Sequence, residues 1–122
     1  MNPNNLKIPK PTIIVNVSDR LTNEGALEKI LLGAEEEGIP VEVVKVEGDD
    51  ALKLAHDASK SSVLLIGIGI SSTEGVVQYS QLAMDKPIER AKLTEEEIIL
   101  RELGSNAARL AKRIPLRFLK NN

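Results

Sequence analysis

Three stretches of this chain carry residues whose types and spacing could do chemistry. The first is His56, the sole histidine, with Asp57 beside it. An imidazole next to a carboxylate suggests proton transfer, but that needs a partner held at hydrogen-bond distance, and no other residue stands at a spacing that supplies one. With no second imidazole and no cysteine, a zinc set is also excluded. The second is Gly67-Ile68-Gly69-Ile70-Ser71-Ser72, which has the look of a phosphate-cradling loop. It lacks a third glycine, lies inside an apolar run, and leads into another strand rather than a helix N-terminus, so the anion-binding logic fails. Close packing of a helix on the sheet accounts for the glycines instead. The third is Glu35-Glu36-Glu37, just before Gly38. Carboxylates at the carboxyl end of a helix oppose its dipole, at a cost of about 0.3–1 kcal/mol each. The run reads either as a solvated face or as a hard-cation or partner-facing site. Two or three carboxylates cannot enclose Mg2+ or Ca2+, which take about six oxygens, so a cation here would be shared with another chain. No residue is assigned to catalysis or to cofactor binding, and the pattern favours a binding module or subunit over an enzyme.

The elements that must position these residues follow from periodicity. Val63 to Ile70 is a nearly unbroken apolar run, suited to a strand covered on both faces. Gly67 and Gly69 are two apart and share a face; Ile66, Ile68 and Ile70 share the other. Ser71 to Gly75 turns the chain, and Val76 to Leu82 reads as an antiparallel return, since so short a connection cannot make a parallel crossover. Earlier, Thr12 to Val17 is a first interior strand, followed by Ser18-Asp19-Arg20 at its carboxyl end. A helix then begins around Thr22 to Glu24, with a stripe of Ala26, Leu27, Ile30, Leu31 and Ala34, and is ended by Gly38 and Pro40. Val41 to Val46 is a more exposed strand. Gly48-Asp49-Asp50 is a turn and N-cap for a short helix, Ala51 to Ser59, that turns Leu52, Leu54 and Ala55 inward. Pro87 to Ala91 is a last short strand. Thr94 and Glu97 have capping-box spacing before a long helix from Glu95 to about Arg113, with stripe Ile99, Leu103, Ala107, Leu110 and Ile114. Pro115 stops it.

This order predicts an α/β fold: a three-layer α/β/α sandwich whose mixed, mostly parallel sheet has four to five strands, one of them antiparallel. The reading divides the chain into an N-terminal arm over residues 1–11, a single domain over 12–116 and a tail over 117–122. A length of 122 residues suits one core. Aromatic residues make up 2% of the chain, so the core must be aliphatic and no platform exists for stacking bases. A net charge of -2, spread along the chain, gives no nucleic-acid surface, and no run approaches the ~18 apolar residues of a membrane span. The absence of cysteine gives no sign of an oxidising compartment. Neither nucleic acid nor membrane is an expected partner, and the expected location is cytoplasmic.

With those residues laid out, three segments in order carry a resemblance: Glu35-Glu36-Glu37-Gly38-Ile39-Pro40, Ile66-Gly67-Ile68-Gly69-Ile70-Ser71, and Leu103-Gly104-Ser105-Asn106-Ala107-Ala108-Arg109-Leu110-Ala111-Lys112. The chain resembles the small (beta) subunit of the reactivating factor for adenosylcobalamin-dependent diol and glycerol dehydratases, over roughly Thr12 to Leu116. The medium subunit of those dehydratases is a relative with similar segments. Short ends, and the lack of an amphipathic leader, favour the reactivase small subunit. The resemblance implies a non-enzymatic, chaperone-like role beside two partners, an ATPase large subunit and the dehydratase large subunit. It implies that this subunit stands in for the dehydratase medium subunit, so that damaged cobalamin can leave. It further implies that an acidic residue at the end of the first helix reaches a metal ion at the large-subunit interface. Glu36 aligns with that position, so this chain would bind no cofactor alone but would meet Mg2+ at the interface. Association with a bacterial microcompartment is a further implied setting. The alternatives are a short medium-type subunit of a cobalamin-dependent dehydratase, and a free-standing α/β ligand-binding domain. The basic stretch Arg113 to Lys120 carries no family signal.

Overall fold

The computed structural model of the chain describes residues 10–118. Most of the expected N-terminal arm, and residues 119–122 of the expected tail, lie outside them. The described residues form a five-stranded sheet and three helices. The strands are β1 (Ile13–Ser18), β2 (Val41–Val46), β3 (Ile66–Ile70), β4 (Glu74–Tyr79) and β5 (Glu89–Lys92). The helices are α1 (Glu24–Glu36), α2 (Ala51–Ser61) and α3 (Glu97–Ala111). The strand order is β2-β1-β3-β4-β5. β2, β1 and β3 are parallel, β4 runs antiparallel to β3, and β5 antiparallel to β4. Only β4 therefore opposes the common direction. α2 covers one face, while α1 and α3 cover the other and pack against each other.

The central strand explains why the layers close. All five residues of β3 are buried. Ile66, Ile68 and Ile70 enter the main core with Ile13, Val15, Val17, Ile30 and Leu103. Gly67 and Gly69 face α2, and both are needed there. A Cβ on Gly67 would stand 2.2 Å from the Ser59 amide nitrogen, and one on Gly69 2.3 Å from that of Ala55. The helix backbone rests directly on the strand. Asn16, on the same face of β1, donates from Nδ2 to the Leu54 carbonyl at 3.1 Å and ties α2 down.

The structure departs from the sequence reading at several ends. β3 begins at Ile66, not Val63, because Ser62 organises a turn: Leu65 N–H donates to the Ser62 carbonyl at 2.9 Å, and Leu65 takes φ 63°. Val63 is 68% exposed as a result. β4 starts at Glu74 and stops at Tyr79, short of the expected Leu82, and β5, at Glu89–Lys92, starts two residues later than expected and ends one later. The capping box at Thr94 and Glu97 does not form. Glu96 is the N-cap of α3 and makes no side-chain cap hydrogen bond. The Glu97 carboxylate pairs instead with Lys29 of α1 at 2.8 Å. The α3 stripe also shifts: Leu100, Leu103, Ala107 and Ala108 are buried, whereas Ile114 lies beyond the helix and is exposed. The N-caps Asn23 and Asp50 hold α1 and α2 as ordinary side-chain acceptors.

Candidate functional site

The acidic run at the end of α1 faces α3, and two glycines bring the helices together there. A Cβ on Gly33 would lie 1.8 Å from the Arg101 carbonyl oxygen, and one on Gly104 1.8 Å from the Ile30 carbonyl oxygen. The backbones touch at this crossing, so side chains one turn further on meet across it. Glu36 is the first. Its carboxylate accepts two hydrogen bonds from Arg101, Nη2 to Oε2 at 2.5 Å and Nε to Oε1 at 3.3 Å. The pair is bidentate yet wet, with the Glu36 side chain 54% exposed. It lines a cleft of about 350 Å³ with Ile98, Ser105 and Arg117.

Glu37 has a different environment, its side chain only 14% exposed. Ser105 Oγ donates to Oε2 at 2.8 Å, Lys112 Nζ to Oε1 at 2.9 Å and Arg109 Nη1 to Oε2 at 3.3 Å, while Arg117 Nη2 stands 3.8 Å away. The hydrogen bonds from Lys112 and then Ser105, against some burial, bring its carboxyl down to about 2. This clamp ties the end of α1 to the second half of α3. The sequence reading left Glu37 in a run that was either a solvated face or a cation-facing site; it is neither, but an internal anchor. Glu35 is exposed. Of the three, Glu36 alone combines exposure with a defined aim into a cleft.

As a cation donor, Glu36 fits one role only. Among the described residues, no group of three or more His, Asp or Glu could hold a metal ion. One carboxylate offers hard oxygen donors suited to Mg2+, but at most two of about six. The residues present therefore fit as one ligand of a shell completed elsewhere.

The other candidates resolve differently. His56 is half-buried on α2, and Asp57 is paired with Lys53 at 2.9 Å. The carboxyl ends of the parallel strands, where open α/β sheets bind ligands, are bridged by protein. Asp49 accepts from Ser72 N–H at 2.7 Å and Ser72 Oγ at 2.5 Å, tying the loop after β2 to the turn after β3. No helix among the described residues is long and apolar enough to cross a membrane. Sequence reasoning missed Gly33 and the basic partners of the acidic run. The signal for Gly33 was available: a glycine inside the apolar stripe of a helix costs about 1 kcal/mol relative to alanine and calls for a packing reason.

Comparison with known proteins identifies the family. The family described as dehydratase medium subunit matches residues 10–117. The propanediol dehydratase-reactivating factor small subunit of Citrobacter freundii is 40% identical over 88 residues, covering 72% of this chain and 76% of that protein. The diol dehydratase-reactivating factor small subunit of Klebsiella michiganensis is 35% identical, covering 91% of this chain and 87% of its own length. Among solved structures, a glycerol dehydratase reactivase superposes with a TM-score of 0.85 at 34% identity, covering 88% of this chain and 97% of the other. A diol dehydratase-reactivating factor complexed with ADP and Mg2+ gives 0.84 at 34%, covering 90% and 100%. The chain belongs to the dehydratase medium-subunit family and, within it, to the small subunits of the diol and glycerol dehydratase-reactivating factors.

Proposed function

We propose that this chain is the small subunit of a chaperone-like factor that restores adenosylcobalamin-dependent diol or glycerol dehydratase by subunit exchange. It binds an ATPase large subunit and, during exchange, takes the place of the medium subunit on the dehydratase large subunit, which lets damaged cobalamin leave. One observation carries the reading: a chain similar in sequence to reactivating factor small subunits, and in structure to the reactivase, also matches a dehydratase medium-subunit family over residues 10–117. A subunit that replaces another must present the same fold. The chain itself performs no catalysis in this scheme, and works in the cytoplasm or a microcompartment within it. A direct test mixes cobalamin-inactivated dehydratase with the assembled factor and ATP, then resolves the products by native mass spectrometry. The expected product is a dehydratase large subunit carrying this chain, with the medium subunit released. A dehydratase that keeps its medium subunit while activity returns would overturn exchange. Co-purification with a cobalamin-bearing enzyme and no ATPase would instead favour a medium-type subunit.

Glu36 is the residue we assign to the Mg2+ at the large-subunit interface, as one oxygen donor among ligands that the partner supplies. Glu36→Gln is expected to weaken association with the large subunit when Mg2+ is present, and to leave it unchanged in EDTA. Equal binding of both forms in Mg2+ would remove Glu36 from the interface.

A further inference from the structure

We infer that Arg101 is a latch on Glu36, holding its carboxylate away from the partner's cation until the two subunits engage. The inference rests on the assignment of Glu36 as a metal donor and adds the residue that controls its availability. Its basis is geometric. Both Glu36 oxygens are already taken by one guanidinium, at 2.5 and 3.3 Å. The pair occupies one lone pair of each oxygen, and a cation brought to the remaining ones would set its positive charge against the guanidinium. Opening the Arg101 pair removes that repulsion.

The surroundings suit opening. The Glu36 and Arg101 side chains are 54% and 38% exposed, so water compensates both groups once they part. Glu97, one turn earlier on α3, lies close enough to favour the Arg101 charge. It gives the released guanidinium a place to go, although Lys29 already holds one Glu97 oxygen at 2.8 Å. The crossing at Gly33 and Gly104 fixes the helix backbones, so the exchange needs side-chain rotation alone. Glu37 lacks this freedom, being held by Ser105, Lys112 and Arg109 together.

The consequence is a conformational tax. An exposed ion pair of this type leaves the competent, unpaired carboxylate at between about a half and a fifth of the population. Removing the guanidinium removes the tax. The test is calorimetric titration of the full chain onto its ATPase large subunit, with ADP and either Mg2+ or EDTA. Arg101→Met keeps most of the side-chain stem and is expected to bind about two- to fivefold more tightly than wild type in Mg2+, with no gain in EDTA. Arg101→Lys, still able to pair, should stay near wild type. Glu36→Gln should bind more weakly in Mg2+, and Glu36→Gln with Arg101→Met should match Glu36→Gln alone. If Arg101→Met gains nothing, or gains equally in EDTA, while Glu36→Gln is still weaker, the latch is overturned and the metal-donor assignment stands. If Glu36→Gln binds like wild type in Mg2+, the assignment falls and the latch with it.

Discussion

Three consecutive glutamates have three different fates, and the difference lies in what α3 presents to each. Glu35 meets water, Glu36 meets one arginine at the rim, and Glu37 is enclosed by a serine, a lysine and an arginine. The Glu37 carboxyl, ordinarily near 4.5, is held at about 2 in the folded chain. Its contribution to stability is therefore present above about pH 4.5 and is lost as the pH falls towards 2. Glu37→Gln should cost about 1–3 kcal/mol at neutral pH, the range for removing one partner of charged hydrogen bonds. It should also flatten the acid limb of the stability curve, read by urea denaturation at successive pH values. An unchanged acid limb would mean that Glu37 is not clamped. Glu36→Gln, at an exposed pair, should shift stability by less than about 1 kcal/mol. The sequence made the acidic run conspicuous, because carboxylates at a helix carboxyl end need a reason. It did not reveal which of them was clamped, since the partners of Glu36 and Glu37 lie 65 to 75 positions away. Only the helix crossing brings them into reach.

At the scale of elements, two pairs of glycines set the spacing between layers. Gly67 and Gly69 let α2 rest on β3, and Gly33 and Gly104 let α1 rest on α3. The first pair was legible, because alternation in a strand puts two glycines on one face beneath any helix that covers it. The second was legible only in part: a glycine in a helix stripe calls for a close approach, but the helix pattern does not say which neighbour it will cross. In an isolated helix, Gly104→Ala would stabilise by about 1 kcal/mol. Here the added Cβ meets a backbone oxygen, so the helices must separate, and a loss of about 1–3 kcal/mol or more is expected. Gly67→Val and Gly69→Val should each show a similar loss, since both face α2. Thermal melts decide the matter: a Gly104→Ala variant that melts higher than wild type would mean the crossing yields readily. Where the sequence reading misplaced an end, a competing contact had displaced the expected one. Lys29 of α1 took the Glu97 carboxylate that the capping box required. The Ser62 turn took the first residues of the apolar run that was to be β3.

The whole molecule carries a second acidic feature, which pulls its pH dependence the other way. Glu89 of β5 and Glu102 of α3 meet between the sheet edge and the helix, and Asn106 joins them to the chain returning past Pro115. Asn106 Nδ2 donates to Glu89 Oε1 at 2.9 Å and to the Arg117 carbonyl, and its Oδ1 accepts from Arg117 N–H at 2.9 Å. Burial first, then the hydrogen bond and charge of Glu102, push the Glu89 carboxyl up to about 7, against the ordinary 4.5. No periodicity could have signalled this, because two carboxylates brought together across a fold are unremarkable apart in sequence. The sign follows from proton counting. Between about pH 4.5 and 7 the folded chain holds a proton that the unfolded chain has released, so stability declines as the pH rises through that window. Glu37 acts below it, in the opposite direction, and the two limbs meet near pH 4.5. Glu89→Gln isolates the upper limb. The amide keeps an oxygen for Asn106 and supplies Glu102 with a hydrogen at every pH, in place of the Glu89 proton. Above pH 7 the variant should be more stable than wild type. Since solvent still reaches Glu89, the gain should be about 1–2 kcal/mol, less than the full shift implies. Near pH 4.5 the two should be alike. Denaturation curves for both proteins across this range provide the measurement. Curves that stay parallel throughout would show that Glu89 holds no extra proton in the folded chain.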